Sequence, residues 1–326
     1  MNHIKTDQTR PECIVYDYIS QYQHGEKNNW GFSIPYNLLQ ELNDDNYFVN
    51  IKTEFNSGKM EIVDWVLPGE TSDTIFFAAH TCHPEQVNDG IACIAVIVEL
   101  FRWLQKKESR RYTYRAIFGP EYFAAAGFLQ MAKNINSLKY GFFLDMLGNG
   151  KPIVFSHSFI GNSYVDLVIE NVLKYDYNCE YFQWPYRGMW GNDEMFYDGP
   201  DFKIPTVCIG RDAFDTYHTD KDNLENCNFK QLEESLSVLK KIVDAIETDL
   251  LPKRLYKGPL YLSRYNLNSQ KNASINRMLQ KIQIMIDGEL TCMEIATKLD
   301  IDFKLVKSFV NELLSKGLIS KQVTKS

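Results

Sequence analysis

The chain has 326 residues, 44% hydrophobic and 24% charged, the composition of an ordinary soluble globular protein with room for one large domain or one large and one small. No apolar run approaches the roughly 20 residues of a membrane span, and the polar opening MNHIKTDQTRPE lacks the apolar stretch of a signal peptide. The net charge of −7 conceals a split: residues 251–326 carry 13 Lys and Arg against 6 Asp and Glu, residues 1–250 carry 22 against 36, and this asymmetry predicts two domains with different tasks.

Taken in chain order, residues 47–54 and 60–67 are β-like, and the turn Asn56-Ser57-Gly58 between them predicts a hairpin. The apolar run 74–79, ending at His80, predicts a buried strand. Helices are expected over 89–107, 122–136 and 160–175, and strands over 112–118, 139–145, 152–155, 180–184 and 204–209. Residues 229–249 have the spacing of a long amphipathic helix that stops at Leu251-Pro252. Alternating strands and helices with apolar strands predict an α/β fold, with a mixed, mostly parallel sheet flanked by helices.

Residues 251–270, with two prolines and no acid, predict a linker or surface strap. Helices follow over 272–287, 291–299 and 302–316. The second has a capping-box pattern at Thr291 and Glu294, and LISKQVTKS supplies a strand. That order predicts a small winged helix-turn-helix, so the expected domains are 1–250, a linker 251–270, and 271–326. Lys304 and Lys307 would face DNA on a recognition helix. Yet 251–270 alone supplies four of the basic residues with no acid, so the excess belongs largely to the linker. A protein-contact module is favoured, and nucleic acid is not expected as a partner.

In sheets of this kind ligands bind beyond the carboxyl ends of the strands. His80 and His83 follow strand 74–79, Asp89 opens the next helix, Glu121 follows 112–118, Asp145 ends 139–145, and His218 follows 204–209. Imidazoles with carboxylates are the ligand set of catalytic zinc sites. Taken singly, each has an ordinary structural role open to it: a helix cap for Asp89, a loop acid for Glu121, a packing residue for Cys82. Among nearby aromatics, Trp184, Tyr186, Trp190, Phe196 and Tyr217 are candidates to line a pocket or to pack the core. The seven cysteines (Cys13, Cys82, Cys93, Cys179, Cys208, Cys227 and Cys292) are scattered and form no CxxC pair, which points to a reducing, cytoplasmic setting.

Several stretches resemble the co-catalytic zinc aminopeptidases, a superfamily that includes bacterial leucyl aminopeptidases, glutamate carboxypeptidases and glutaminyl cyclases. They are IFFAAHTCHPEQVNDGIACIAVIVELFRWL, YTYRAIFGPEYFAAAGFLQ, YGFFLDMLGNG, and WGNDEMFYDGPDFKIPTVCIGRD with YHTDKDNLE. The resemblance spans about residues 47–248. A nearer resemblance is to bacterial aminopeptidase-like proteins labelled as polysaccharide-biosynthesis proteins. They share His-Thr-Cys-His-Pro, the Pro-Glu turn, Tyr-His-Thr and a segment like NNWGFSIPYNLLQEL, and they carry a C-terminal winged helix.

The resemblance implies a zinc-exopeptidase-like fold and one or two zinc ions. His80 and Asp145 would hold one ion, Asp89 would bridge, and His218 would hold the second position. Where the peptidases have two adjacent glutamates, this chain has only Glu121, either general base or ligand. Cys82 stands where they place an Asp that orients the first His, and His83 compensates or itself binds metal. Asp193 matches a loop Asp near the substrate. Arg211 is a candidate for a substrate carboxylate or for a salt bridge to Asp212 or Asp215, and Tyr217 a candidate substrate contact.

The expected activity is that of a zinc-dependent aminopeptidase-like hydrolase cleaving an amide bond of a peptide or small amide. Two alternatives stand beside it: a catalytically impaired binding or regulatory protein, and an amidase acting on an amino sugar in cell-surface polysaccharide biosynthesis. No membrane partner is expected, and a homo-oligomer through the C-terminal module is compatible with this reading.

Overall fold

A computed structural model describes residues 3–16, 30–42, 46–268 and 273–322. Near the N-terminus, β1 (Ile4–Lys5) pairs in parallel with β2 (Phe32–Ser33), and a short helix α1 (Tyr36–Glu41) follows. The body then runs β3 (Val63–Leu67), β4 (Thr74–His80), α2 (Ala92–Gln105), β5 (Thr113–Gly119), α3 (Phe123–Met131), β6 (Leu138–Leu144) and β7 (Ile153–Ser156). It continues with α4 (Tyr164–Asp176), β8 (Tyr181–Trp184), α5 (Glu194–Tyr197), β9 (Thr206–Arg211) and α6 (Phe229–Thr248). Seven strands form one mixed sheet in the order β3-β5-β4-β6-β9-β7-β8. β3 on β5 and β7 on β9 are antiparallel, and the other neighbours are parallel.

β4 is buried at every residue, as a central strand covered on both faces must be. Successive side chains alternate between faces. Ile75, Phe77 and Ala79 pack with α2, α4 and α6, while Phe76 and Ala78 pack with α3 and Tyr197 of α5. Alanine and phenylalanine on this strand thus serve two different cores.

The expected hairpin does not form. Val63–Leu67 is a strand, but its partner is β5, and residues 46–62 carry no regular structure, with Phe48 and Phe55 93% and 99% exposed. The alternating pattern of 47–54 has no neighbour to pair with once β3 is taken by the sheet edge. The helix expected over 122–136 ends at Met131, where Asn134 and Ser137 turn the chain through hydrogen bonds of their own.

After α6 come β10 (Leu251–Arg254), α7 (Ala273–Met285), α8 (Cys292–Leu299), α9 (Phe303–Ser315) and β11 (Ile319–Gln322). Leu251–Arg254, at the start of the segment expected to be a linker, pairs antiparallel with β11. The Thr291–Glu294 capping box closes as expected. The core cluster on the α2/α4/α6 face continues into Leu279, Ile282, Ile295, Val306 and Phe309. The side chain of Asn171 on α4 donates to Ile301 and accepts from the backbone of Phe303. Lys304 pairs with Asp176, and Lys307 lies over the Phe303 ring. Among the described residues no helix is long and apolar enough to cross a membrane.

Candidate metal centre

The site forms where the central strands end. Ala78 of β4 pairs with Phe143 of β6, so two residues later His80 and Asp145 leave the sheet side by side. Asp89 lies in a tight turn, Val87–Ile91, that precedes α2. The expected helix start at Asp89 is displaced to Ala92, because Asp89 and Gly90 have non-helical backbones. Gly90 sits at φ +128, and a Cβ there would meet the carbonyl oxygen of His80 at 2.4 Å, so only glycine lets the turn approach the strand end.

Asp89 is the centre of the arrangement. Its Oδ1 lies 3.3 Å from His80 Nε2, while its Oδ2 lies 2.9 Å from His83 Nε2 and 3.0 Å from His218 Nε2. Asp145 Oδ1 is 3.5 Å from His80 Nε2. Two three-residue groups result, His80-Asp89-Asp145 and His83-Asp89-His218, each with ligand-type atoms within 4.8 Å of one another.

The electrostatics follow from burial among these neighbours. Burial opposes charge on Asp89, but hydrogen bonds with His218, His80 and His83 hold its carboxyl well below the usual range. Burial pushes Asp145 up to about 6 against its bond with His80. His80 is disfavoured as a cation by burial, yet Asp145 and Asp89 raise it well above the ordinary imidazole value. Asp145 Oδ1 is buried, and the imidazole nitrogen beside it, His80 Nε2, is 3.5 Å away, too far for a well-formed hydrogen bond. A buried carboxylate oxygen with so weak a donor is costly. Beside a second carboxylate and an imidazole, it fits a divalent cation.

The groups open into a cavity of about 260 Å³, lined also by Tyr16, Glu121, Tyr122, Trp190 and Tyr217. Glu121 stands outside both three-residue groups. Cys82 Sγ is 3.4 Å from His80 Nδ1 and 3.8 Å from Glu121 Oε2, so the thiol takes up the outer edge of the His80 ring. Tyr217 stacks on His218 with ring centroids 3.8 Å apart. Of the five aromatics singled out from the sequence, Trp190 and Tyr217 line the cavity.

Two expected site residues are not among those lining the cavity. Arg211 is 1% exposed and does not line the cavity. Its guanidinium donates to the carbonyls of Leu147 and Lys151 and to Ser235, and pairs with Glu234 rather than Asp212 or Asp215. A cation in a buried strand must find partners inside the protein, and these carbonyls supply them. Asp193 is also buried beside the cavity, where its Oδ1 accepts the backbone N–H of Tyr122 at 2.5 Å, and burial pushes it up to about 7. It holds the turn that carries Glu121.

Three residues escaped the sequence analysis. Asp222 accepts the backbone N–H groups of Asn88 and Asp89, Asn192 donates to Asp145 Oδ2 at 3.1 Å, and Tyr16 stacks on His83 at 4.6 Å. Asp222 lies inside YHTDKDNLE, four residues after His218, which is the one signal that pointed to it. Tyr16 arrives on the N-terminal segment, where Arg10 donates to the carbonyls of Asp215 and Tyr217 and Tyr16 N–H donates to His218.

Comparison with known proteins places this architecture. The profile of a family described as a domain of unknown function (DUF4910) matches residues 10–249. A Clostridium acetobutylicum protein, whose name couples polysaccharide biosynthesis to an aminopeptidase-like domain, is 27% identical over 305 residues, 89% of this chain and 68% of the relative. A crystal structure of a C. acetobutylicum protein named as a peptidase superposes with a TM-score of 0.84 at 25% identity, over 98% of this chain and 73% of that one. BSAP, a zinc aminopeptidase from Bacillus subtilis, gives a TM-score of 0.48 at 16% identity, over 56% of this chain and 49% of that one. The resemblance to aminopeptidase-like proteins, carried in the sequence by a few motifs, therefore extends over most of the chain.

Proposed function

The chain belongs to the DUF4910 family, and from that premise we propose that it is a zinc-dependent hydrolase of amide bonds, acting on a peptide or small amide that carries an unblocked amine. The observation that carries this reading is the Asp89 carboxylate, with one oxygen facing His80 and the other facing His83 and His218. His80, Asp89 and Asp145 would hold one ion, and Asp89 with His218 would hold a second position. Zinc in such a site supplies Lewis-acid polarisation of a carbonyl and makes water acidic enough to react near neutral pH.

The protein's own groups do the rest. Glu121, in the cavity but outside both groups, is placed to take a proton from the attacking water and return it to the leaving amine. No Lys or Arg is among the described residues lining the cavity, whereas Asp89, Asp145 and Glu121 are. With no cation to meet a substrate carboxylate, and with Glu121 the carboxylate left outside both metal groups, the lining supports aminopeptidase over carboxypeptidase specificity. An amidase acting on an amino sugar shares this chemistry. The rim of Tyr16, Tyr122, Trp190 and Tyr217 and the name of the Clostridium relative support it as the second reading.

The C-terminal helices α7, α8 and α9 with β11 form, in this reading, a winged-helix module (271–326) tied through 251–270 to the hydrolase domain (1–250). The pairing of Lys304 with Asp176 supports a protein-contact role over DNA binding. All seven cysteines are free, which supports a reducing, cytoplasmic compartment.

The test is release of amino acids from short unblocked peptides by the zinc-loaded protein, beside N-acetylated controls. Turnover of the unblocked peptides is expected, with a loss of about 10²- to 10⁴-fold in Glu121→Gln. Zinc-loaded protein that turns over neither peptides nor amino-sugar amides contradicts the reading and favours a binding protein.

A further inference from the structure

We propose that His83 is a metal ligand and that it makes the two ion positions chemically unequal: a deep, carboxylate-rich position at His80, Asp89 and Asp145, and an outer, imidazole-rich one at His83, Asp89 and His218. This rests on the metal reading above and goes beyond it, since that reading leaves His83 without a role.

The first observation is the orientation of the His83 ring. Its Nδ1 lies 2.8 Å from the carbonyl oxygen of Pro84. A carbonyl only accepts, so Nδ1 carries the hydrogen. In the neutral ring Nε2 then presents a lone pair, and it points at Asp89 Oδ2 from 2.9 Å. Either a proton on Nε2 or a cation can sit between these two atoms, and with Nδ1 committed to the Pro84 carbonyl it is Nε2 that is free to exchange that proton for a metal ion. A ring locked through Nδ1 to a backbone carbonyl, with Nε2 turned to a carboxylate, is the arrangement of a metal-binding histidine. Tyr16 stacks on the ring face at 4.6 Å and fixes its plane. His218 Nε2 converges on the same carboxylate oxygen from 3.0 Å.

The second observation is the difference in charge and exposure between the positions. The deep group offers two carboxylates and one imidazole, with side chains only 3–5% exposed. The outer group offers two imidazoles and only the shared carboxylate, and His218 is 21% exposed. A divalent ion is held more strongly by two negative ligands than by one already shared. The deep position therefore fills first and the outer one second. Imidazole nitrogen favours zinc, cobalt and nickel, whereas carboxylate oxygen also accepts manganese and magnesium. The outer position therefore discriminates against manganese more strongly than the deep one does. With three groups already converging on the outer position, Glu121 is not needed as a ligand and stays available as a base.

The experiment strips the full-length protein with chelator and titrates it with zinc and, separately, with manganese. Heat of binding and metal per chain are measured on wild type, His83→Ala and His218→Ala, with circular dichroism to confirm folding. Two zinc ions per chain in two resolved steps, one manganese, and loss of the weaker zinc step alone in both variants are the expected results. Two zinc ions in wild type with the weaker step unchanged in folded His83→Ala overturn the proposal and leave the hydrolase reading standing. Wild type that takes up no zinc overturns both.

Discussion

Asp222 holds Asp89 in place: its Oδ2 accepts the Asp89 backbone N–H at 3.0 Å, while its Oδ1 accepts the Asn88 backbone and side chain at 2.8 and 3.1 Å. Asp222 follows His218 by four residues, so the same contact ties the His218 loop to the turn that presents Asp89. Two candidate ligands far apart in sequence are thereby set against one another by a residue that touches neither side chain's ligand atoms.

Removing such a support costs metal affinity. Asp222→Ala is expected to weaken zinc binding by about 10- to 100-fold while the protein stays folded, since outer partners of ligands have effects of that size. Competition against a chromophoric chelator measures it. An unchanged dissociation constant in the folded variant would show that the turn holds its shape unaided.

Arg211 gives a prediction of the opposite kind. Its guanidinium lies wholly inside the protein, bonded to three carbonyls, Ser235 and Glu234. Arg211→Met removes the donor from the buried Leu147 carbonyl and Ser235, while the Lys151 carbonyl keeps Gln231 and Glu234 reaches solvent, and it is expected to destabilise by about 1–3 kcal/mol in urea unfolding. KM of the folded fraction is expected to stay at the wild-type value. A raised KM with wild-type stability would restore the substrate-contact role that the sequence first suggested.

Asp249 predicts a pH dependence remote from the metal groups. Burial pushes its carboxyl up to about 6, although Tyr164, Thr291 and the backbone N–H groups of Met293 and Leu250 donate to it. An unfolded chain releases this proton near pH 4, the folded one near pH 6, so between them the folded state binds more protons. Stability therefore falls as pH rises from about 4 to about 6 and is flat above, by about 3 kcal/mol for this residue. Asp249→Asn is expected to remove that part of the slope when urea midpoints are compared from pH 4.5 to 7.5. Parallel slopes in variant and wild type would contradict the assignment.

Phe48 and Phe55 lie almost fully in solvent. Phe48→Ser and Phe55→Ser are expected to shift stability by less than about 0.5 kcal/mol. Thermal unfolding reads this directly, and a large loss in either variant would mean that residues 46–62 pack against the body.

The sequence made legible what depends on local pattern. Seven successive residues from Thr74 to His80 carry the signal of a central strand. His80, Asp89, Glu121, Asp145 and His218 stand where parallel strands end, which the structure gathers around one cavity. What stayed hidden depends on distant partners. β3 pairs with β5, about 50 residues on, so no local turn could reveal it. The environment of Arg211 is built from residues 147, 151, 234 and 235, whereas the sequence showed only the neighbouring acids Asp212 and Asp215. Asp193 carried the right chemistry but points to the backbone of Tyr122 rather than into the cavity. For His83, spacing left ligand and loop-shaping roles open, and only the placement of its two ring nitrogens distinguishes them.

The central claim is that Asp89 joins two metal positions, and zinc per chain in wild type and Asp89→Ala tests it most directly. Both proteins are loaded with zinc, desalted and assayed by atomic absorption, with circular dichroism as the check on folding. Two ions in wild type and none retained by folded Asp89→Ala is the expected result. Wild type that retains no zinc, or Asp89→Ala that retains as much as wild type, would contradict it.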